Sequence, residues 1–239
     1  IDEVKPSVVV HLAAIAFVGH GSADDFYRVN LVGTRHLLDA LASSGLSLDC
    51  VLLVSSANIY GNSTEGVLDE EVSPNPANDY AVSKLAMEYM ARLWFDRLPI
   101  VIVRPFNYTG VGQSKDFLLP KIVDHFRRRA PLIELGNLDV SRDFSDVRVI
   151  ARVYRALLEA RPLGQVVNVC SGKAYSLQEV LDIVQRLSGH SLEVRVNPAF
   201  VRANEVRMLR GNPDKLQNLI GKLEVPSLEE TLAWMLEAQ

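Results

Sequence analysis

No stretch of this sequence is long and apolar enough to span a bilayer as a helix, so a helical membrane protein is excluded and no membrane partner is expected. Cysteine is almost absent. The two present, Cys50 and Cys170, sit in separate apolar runs, which argues against a disulfide framework and for buried thiols in a reducing cytoplasm. Neither sign of charge dominates: the net charge is -4, and nothing global would draw nucleic acid or an anionic surface. The densest basic run, Arg127 to Arg129, closes an apolar-striped segment, where a helix dipole favours cations. The five histidines (His11, His20, His36, His125 and His190) are dispersed, with no cysteine or histidine at ligand spacing, so no metal site is expected. Walker loops, nucleophile elbows, internal repeats and low-complexity segments are missing too.

What is present can build a core: 48% of the 239 residues are hydrophobic, enough for one or two domains. Val8 to Leu12, Cys50 to Ser55 and Ile100 to Arg104 are continuous apolar runs of the kind that form parallel strands covered on both faces. Between them, helical periodicity spans about Asp24 to Ser43 and residues 79–97, the second ending before Pro99. This alternation predicts an α/β fold, a doubly wound parallel sheet, with sites at the carboxyl ends of its strands. His11, Ser56 and Asn107 fall at or just past such ends. Later come helices near 116–130 and 146–160, and strands near 131–135, 166–169 and 192–196. Ser176 with Glu179, and Ser227 with Glu230, read as capping boxes that open two further helices.

Tyr80 and Lys84 stand four apart, on one face of their helix and one turn from each other. An ammonium there favours the phenolate of a tyrosine, whose ordinary pKa is ~10, and makes the phenol a usable proton donor and acceptor. Ser56 at a strand end can hold a carbonyl oxygen beside it. The trio suits hydride chemistry between an alcohol and a ketone, whereas the pair alone is more often a solvated helix contact.

Several further segments share an order and spacing: His11-Leu12-Ala13-Ala14, Asn30-Leu31-Val32-Gly33-Thr34, Ser55-Ser56-Ala57-Asn58-Ile59-Tyr60-Gly61 and Arg104-Pro105-Phe106-Asn107. With Tyr80 and Lys84 they resemble the extended short-chain dehydrogenases/reductases acting on nucleotide-sugars, the NAD-dependent epimerase/dehydratase family, from end to end of the chain. The resemblance implies a Rossmann-type catalytic domain over 1–107, joined by parts of 136–172. It implies a smaller, mixed α/β domain over 108–239 that mostly binds the nucleotide-sugar. Ser56 would position the carbonyl, Tyr80 would be the general acid/base, and Lys84 would bind the nicotinamide ribose while lowering the Tyr80 pKa. His11, Leu12, Ala13, Ala14, Asn30, Val54, Ser55, Pro105 and Phe106 would line an NAD or NADP cofactor. For Asn30 a plain alternative is a helix residue bonded to backbone.

The segment Val140 to Val147 resembles the one these enzymes use to grip the nucleotide diphosphate. Arg142 there can offer a bidentate fork to phosphate; the alternative is a pair with Asp143 or Asp146. Arg202-Ala203-Asn204-Glu205 resembles the Arg-x-x-Glu segment of the GDP-sugar enzymes, the arginine meeting the diphosphate and the glutamate the ribose hydroxyls. Asn58, Asn107 and Lys121 complete the implied set for a GDP-linked sugar.

Two departures refine the expectation. The family's 4,6-dehydratases carry an acidic residue after the catalytic serine, typically two positions on; here those positions are Ala57 and Asn58, and neither can act as a base. A ketone reductase or 4-epimerase needs only Ser56, Tyr80 and Lys84. Among these, the resemblance of Pro105-Phe106-Asn107, Ser141-Arg142-Asp143-Phe144 and Arg202 with Glu205 to the GDP-sugar reductases implies reduction of the 4-keto group of a GDP-4-keto-6-deoxy-hexose to a GDP-rhamnose type product. A talose-forming reductase, a UDP-sugar 4-epimerase and a non-catalytic nucleotide-sugar or dinucleotide binder are the alternatives. Secondly, Gly19-His20-Gly21 lacks the third glycine of a dinucleotide fingerprint, and the chain opens at Ile1 on a buried-type strand. About 60 preceding residues, two βα units, are expected, and without them an exposed strand edge and weak cofactor affinity. By the same resemblance, Met87, Met90, Leu93 and Trp94 could form a homodimer face on the Tyr80 helix.

Overall fold

The computed structural model describes residues 1, 3–17, 22–61, 66–201 and 206–238. Its first half runs through β1 (Val8–His11), α1 (Ala23–Phe26), a π-helical turn (Tyr27–Gly33), α2 (Thr34–Ser43), β2 (Cys50–Val54), a 3₁₀ turn (Ala57–Tyr60), α3 (Asp79–Arg92) and β3 (Ile100–Pro105). Then come β4 (Asn107–Thr109), α4 (Leu118–Arg127), β5 (Leu132–Leu135), β6 (Ser141–Asp146), α5 (Val147–Ala160) and β7 (Val166–Val169). The remainder comprises β8 (Ala174–Ser176), α6 (Leu177–Ser188), β9 (Glu193–Val196), β10 (Met208–Leu209), α7 (Asp214–Ile220) and α8 (Leu228–Glu237).

Strands β1, β2, β3 and β7 form one parallel sheet in that order. Successive residues of a strand face opposite ways. Val51, Leu53, Ile100 and Ile102 therefore meet Leu38 and Leu41 of α2 and Met87 of α3 on one face. Cys50, Leu52, Val101 and Val103 meet Ile150, Val153 and Leu157 of α5 and Leu216 of α7 on the other. Helices on both faces explain why these strands read as unbroken apolar runs. The result is the expected Rossmann-like α/β arrangement. β1 forms one edge, with Val8 and Val10 exposed.

A second apolar centre lies where α4, α6 and α8 pack together beside the β5–β9 pair, through Ile122, Phe126, Val180, Val184 and Leu232. Both predicted capping boxes form, at Ser176 and at Ser227. Between the two centres lies a small sheet, β10–β6–β4, with β8 antiparallel to β6.

Several expectations need correction. The helix predicted over 79–97 ends at Arg92, and the continuous helix predicted from 24 to 43 is interrupted by the π-helical turn. The proposed dimer stripe is not one face: Met87 and Trp94 are buried against the sheet while Leu93 is 77% exposed. The expectation of two buried thiols is met, since Cys50 and Cys170 are buried and unpaired. Among the described residues no helix is long and apolar enough to cross a membrane, and no group of three or more His, Cys, Asp or Glu side chains could hold a metal ion.

Candidate active site

The carboxyl edge of the parallel sheet gathers His11 at the end of β1, Ser55 and Ser56 after β2, and Asn107, which opens β4 two residues beyond the end of β3. Ser56 caps the 3₁₀ turn, its Oγ accepting from the Asn58 N–H at 3.1 Å. The start of α3 is fixed by Asn78, whose side chain accepts from the Ala81 N–H at 2.9 Å. That cap puts Tyr80 in the first turn and Lys84 in the next. The Ser56 hydroxyl favours the phenolate of Tyr80, and the Tyr80 ring meets the Phe26 ring edge-on at 5.9 Å. Lys84 Nζ donates to the Val54 carbonyl at 2.8 Å. All three side chains are buried.

Burial pushes the Tyr80 phenol up to about 12, against the opposing pull of the Ser56 hydroxyl. Lys84 is brought down to about 8 by burial, with the Glu88 carboxylate acting the other way. The expectation that Lys84 lowers the Tyr80 pKa is therefore not met here. Desolvation of the phenolate outweighs the help it receives, and the ammonium is engaged by a backbone carbonyl. At neutral pH Tyr80 is a protonated phenol, the form a proton donor needs.

Asn30 differs from its expected place along the cofactor. Its Nδ2 donates to the Ile15 carbonyl at 3.1 Å and to Ser83 Oγ at 3.0 Å, and its Oδ1 accepts from the Ile15 N–H at 2.9 Å. Both side-chain N–H groups are committed, and Ser83 Oγ in turn donates to the Tyr80 carbonyl at 2.7 Å. Asn30 thus braces the segment after β1 against the start of α3. His11 Nε2 lies 2.9 Å from Thr34 Oγ1, whose own proton goes to the Asn30 carbonyl. This makes His11 the donor, through its Nε2–H. Burial, then the charge of Lys84, lowers its pKa and favours the neutral ring.

The remaining residues expected along the cofactor divide. Leu12 and Ala13 are exposed and Ala14 is half-buried. The Phe106 ring is core, packed with Tyr60, Cys170 and Leu209, and its N–H donates to the Val169 carbonyl at 2.9 Å. Pro105 is buried at the end of β3. Ser55 Oγ and Asn107 Nδ2 are buried at the strand ends without hydrogen-bond partners. Such an atom costs about 1–3 kcal/mol, so both suit a polar ligand.

Among the expected substrate residues, Arg142 Nη1 donates to the carbonyls of Ser141 and Arg207 at 3.0 and 3.2 Å. The suggested carboxylate partners are engaged elsewhere: Asp146 with Arg148, Asp143 with Ser171 and Gly172. Lys121 Nζ donates to the Glu134 carbonyl at 2.7 Å and lies 4.4 Å from the centre of the Phe200 ring. Asn58 is half-buried. Arg202, Glu205 and Gly19-His20-Gly21 lie outside the described residues. Sequence reasoning missed a buried polar network of Glu88, Arg104 and Tyr60; its one signal is an arginine inside an otherwise apolar strand.

Over residues 1–235 the chain matches the family described as GDP-mannose 4,6 dehydratase. It belongs to that family. With it comes membership of the extended short-chain dehydrogenases/reductases, the enzyme class that the motifs resemble. The GDP-mannose 4,6 dehydratase family includes dehydratases by name, yet curated relatives of this chain carry other activities. A GDP-6-deoxy-D-talose 4-dehydrogenase from Aggregatibacter actinomycetemcomitans is 36% identical, over 92% of this chain and 75% of that protein. The GDP-6-deoxy-D-mannose reductase of Pseudomonas aeruginosa is 35% identical, over 90% of this chain and 74% of its own length. Among solved structures, a provisionally assigned epimerase from Burkholderia cenocepacia J2315 is 58% identical with a TM-score of 0.92, covering 99% of this chain and 76% of that one. RMD from Pseudomonas aeruginosa, solved with NADPH, is 33% identical with a TM-score of 0.89, covering 97% of this chain and 80% of that one.

Proposed function

We propose that this protein is an NAD(P)-dependent oxidoreductase that reduces the 4-keto group of a GDP-4-keto-6-deoxy-hexose. The observation that carries the reading is the placement of Ser56 beside the buried Tyr80 phenol at the sheet's carboxyl edge, with Lys84 one turn further along the same helix face. Bound reduced nicotinamide supplies a hydride. Ser56 donates to the carbonyl oxygen as negative charge grows on it, and Tyr80 delivers its proton to that oxygen. Lys84, anchored on the Val54 carbonyl, would hold the nicotinamide ribose from the same helix face. Ser55 Oγ and Asn107 Nδ2, buried without partners, are the groups suited to hold the cofactor or the sugar here. NADPH is favoured by its presence in the Pseudomonas aeruginosa neighbour.

Reduction is favoured over dehydration because Ala57 and Asn58 follow Ser56 and offer no carboxylate. The GDP-linked substrate is supported by the names of two relatives at 36% and 35% identity. A 6-deoxy-talose product is the second reading, supported by the Aggregatibacter relative. The same three side chains serve either product, since stereochemistry depends on which face of the sugar meets the hydride. Incubation with NADPH and GDP-4-keto-6-deoxymannose is expected to consume the reduced cofactor and yield a GDP-6-deoxyhexose, identified by sugar NMR. A UDP-sugar 4-epimerase would show no net consumption, and that outcome would sink the reading.

A pH dependence follows from Lys84. It holds its proton below about 8 and loses it above. Turnover is expected to decline on the alkaline side as pH rises through that value, while Tyr80, titrating near 12, stays protonated. A rate profile flat between about pH 6 and about pH 10 would contradict the role given to Lys84.

A further inference from the structure

Tyr80, Lys84 and Glu88 follow one another at four-residue spacing and share one face of α3. Glu88 carries its carboxylate into the interior at 1% side-chain exposure, opposite Arg104 on β3 at 5%. The guanidinium meets the carboxylate in paired geometry, Nη2 to Oε2 at 2.8 Å and Nε to Oε1 at 3.0 Å. Its Nη1 donates to the Tyr60 hydroxyl at 2.9 Å and reaches the Glu70 carbonyl at 3.5 Å. Tyr60 passes its own proton to Asn168 Oδ1 on β7 at 2.8 Å. Tyr60 also ends the short turn that Ser56 caps.

Stability alone does not explain a charge pair this deep, because apolar side chains of similar size commonly replace such pairs at no loss. Connectivity does. The network joins the helix carrying Tyr80 and Lys84 to the turn carrying Ser56, through two strands of the sheet. We propose that Glu88, acting through Arg104 and Tyr60, is a positioning residue that fixes the Ser56 turn in register with the Tyr80–Lys84 face of α3. The proposal rests on the roles given above to Ser56, Tyr80 and Lys84. A second consequence concerns charge: Glu88 works against burial to keep Lys84 protonated. The other titratable groups around the pair are His11 at the end of β1, Tyr80 on α3, Arg104 on β3, Tyr60 in the 3₁₀ turn and Glu70 in the loop beyond.

The test compares Glu88→Gln with the apolar pair Glu88→Met plus Arg104→Met in the full chain. The double variant is expected to melt near the parent. Its kcat should fall about 10- to 100-fold with KM changed by less than about 3-fold, the signature of misplaced reacting groups. The titration midpoint of Lys84, read by nitrogen NMR of labelled Nζ, should fall by about one pH unit in both variants. Glu88→Gln keeps the side chain's size and one acceptor, so a measurement survives if the double variant does not fold. Parental kcat, or an unmoved Lys84 midpoint, in whichever variant folds would overturn the proposal. Tyr80→Phe serves as the control. If that variant keeps turnover, the assignment of the acid/base fails, independently of the network.

Discussion

Replacing Tyr80 with phenylalanine is expected to lower turnover by about 10²- to 10⁴-fold while leaving sugar-nucleotide affinity within about 3-fold. The substitution removes one oxygen from a buried ring that still packs edge-on to Phe26. The fold keeps its apolar contact and loses only the proton that reduction of a ketone consumes. The loss belongs in kcat, because the proton moves only as the carbonyl oxygen becomes anionic. Ser56 retains the Asn58 N–H that it accepts at 3.1 Å. Steady-state kinetics with calorimetric titration of the sugar-nucleotide separates the two effects. Turnover within about 3-fold of the parent would remove Tyr80 from the acid/base role.

Asp143 to asparagine is expected to cost about 3 kcal/mol of stability, a fall in Tm of about 6–12 °C for a chain of this size. The Asp143 carboxylate is fully buried on β6. Its Oδ1 accepts from the Ser171 N–H at 2.9 Å and the Ser171 hydroxyl at 2.6 Å. Its Oδ2 accepts from the Gly172 N–H at 2.9 Å and the Gly211 N–H at 3.4 Å. An amide of the same shape has only one acceptor oxygen. Its NH₂ would face the Gly172 and Gly211 N–H groups, and the arrangement would turn from four matched bonds to opposed donors. Because these bonds tie β6 to the turn after β7 and to the residue beyond β10, the effect should be global rather than local. Differential scanning calorimetry decides it. A Tm within about 2 °C of the parent would show that this carboxylate does not hold the joint.

The central sheet was readable because parallel strands buried on both faces announce themselves as apolar runs, as Cys50 to Val54 and Ile100 to Val103 do. Ser56, Tyr80 and Lys84 were readable for a related reason: a strand end and a four-residue helical spacing are local properties. The small sheet was not. Ser141 to Asp146 alternates nothing that marks a strand, and its partners Asn107 to Thr109, Ala174 to Ser176 and Met208 to Leu209 are short and distant in sequence. Asn30 drew a cofactor role from its neighbours in the motif, yet its bonds reach Ile15 and Ser83, separations that no periodicity reports. Pairing of Arg142 with Asp143 or Asp146 was misjudged for the same reason, since those carboxylates find closer donors once the chain folds.

The π-helical turn from Tyr27 to Gly33 holds Asn30 and leads directly into Thr34. Wider than its flanks, it acts as a phase shift inside an otherwise ordinary helix. Removing one residue there would let the segment relax to regular geometry without disturbing the sheet or its core. Side chains inside the turn would then change direction, while those beyond it kept theirs. Asn30 could not face Ile15 and Ser83 while Thr34 still faced His11. The site therefore depends on a length as well as on identities. A relative could retain each named residue, fold normally, and still present a catalytic helix with nothing bracing its first turn.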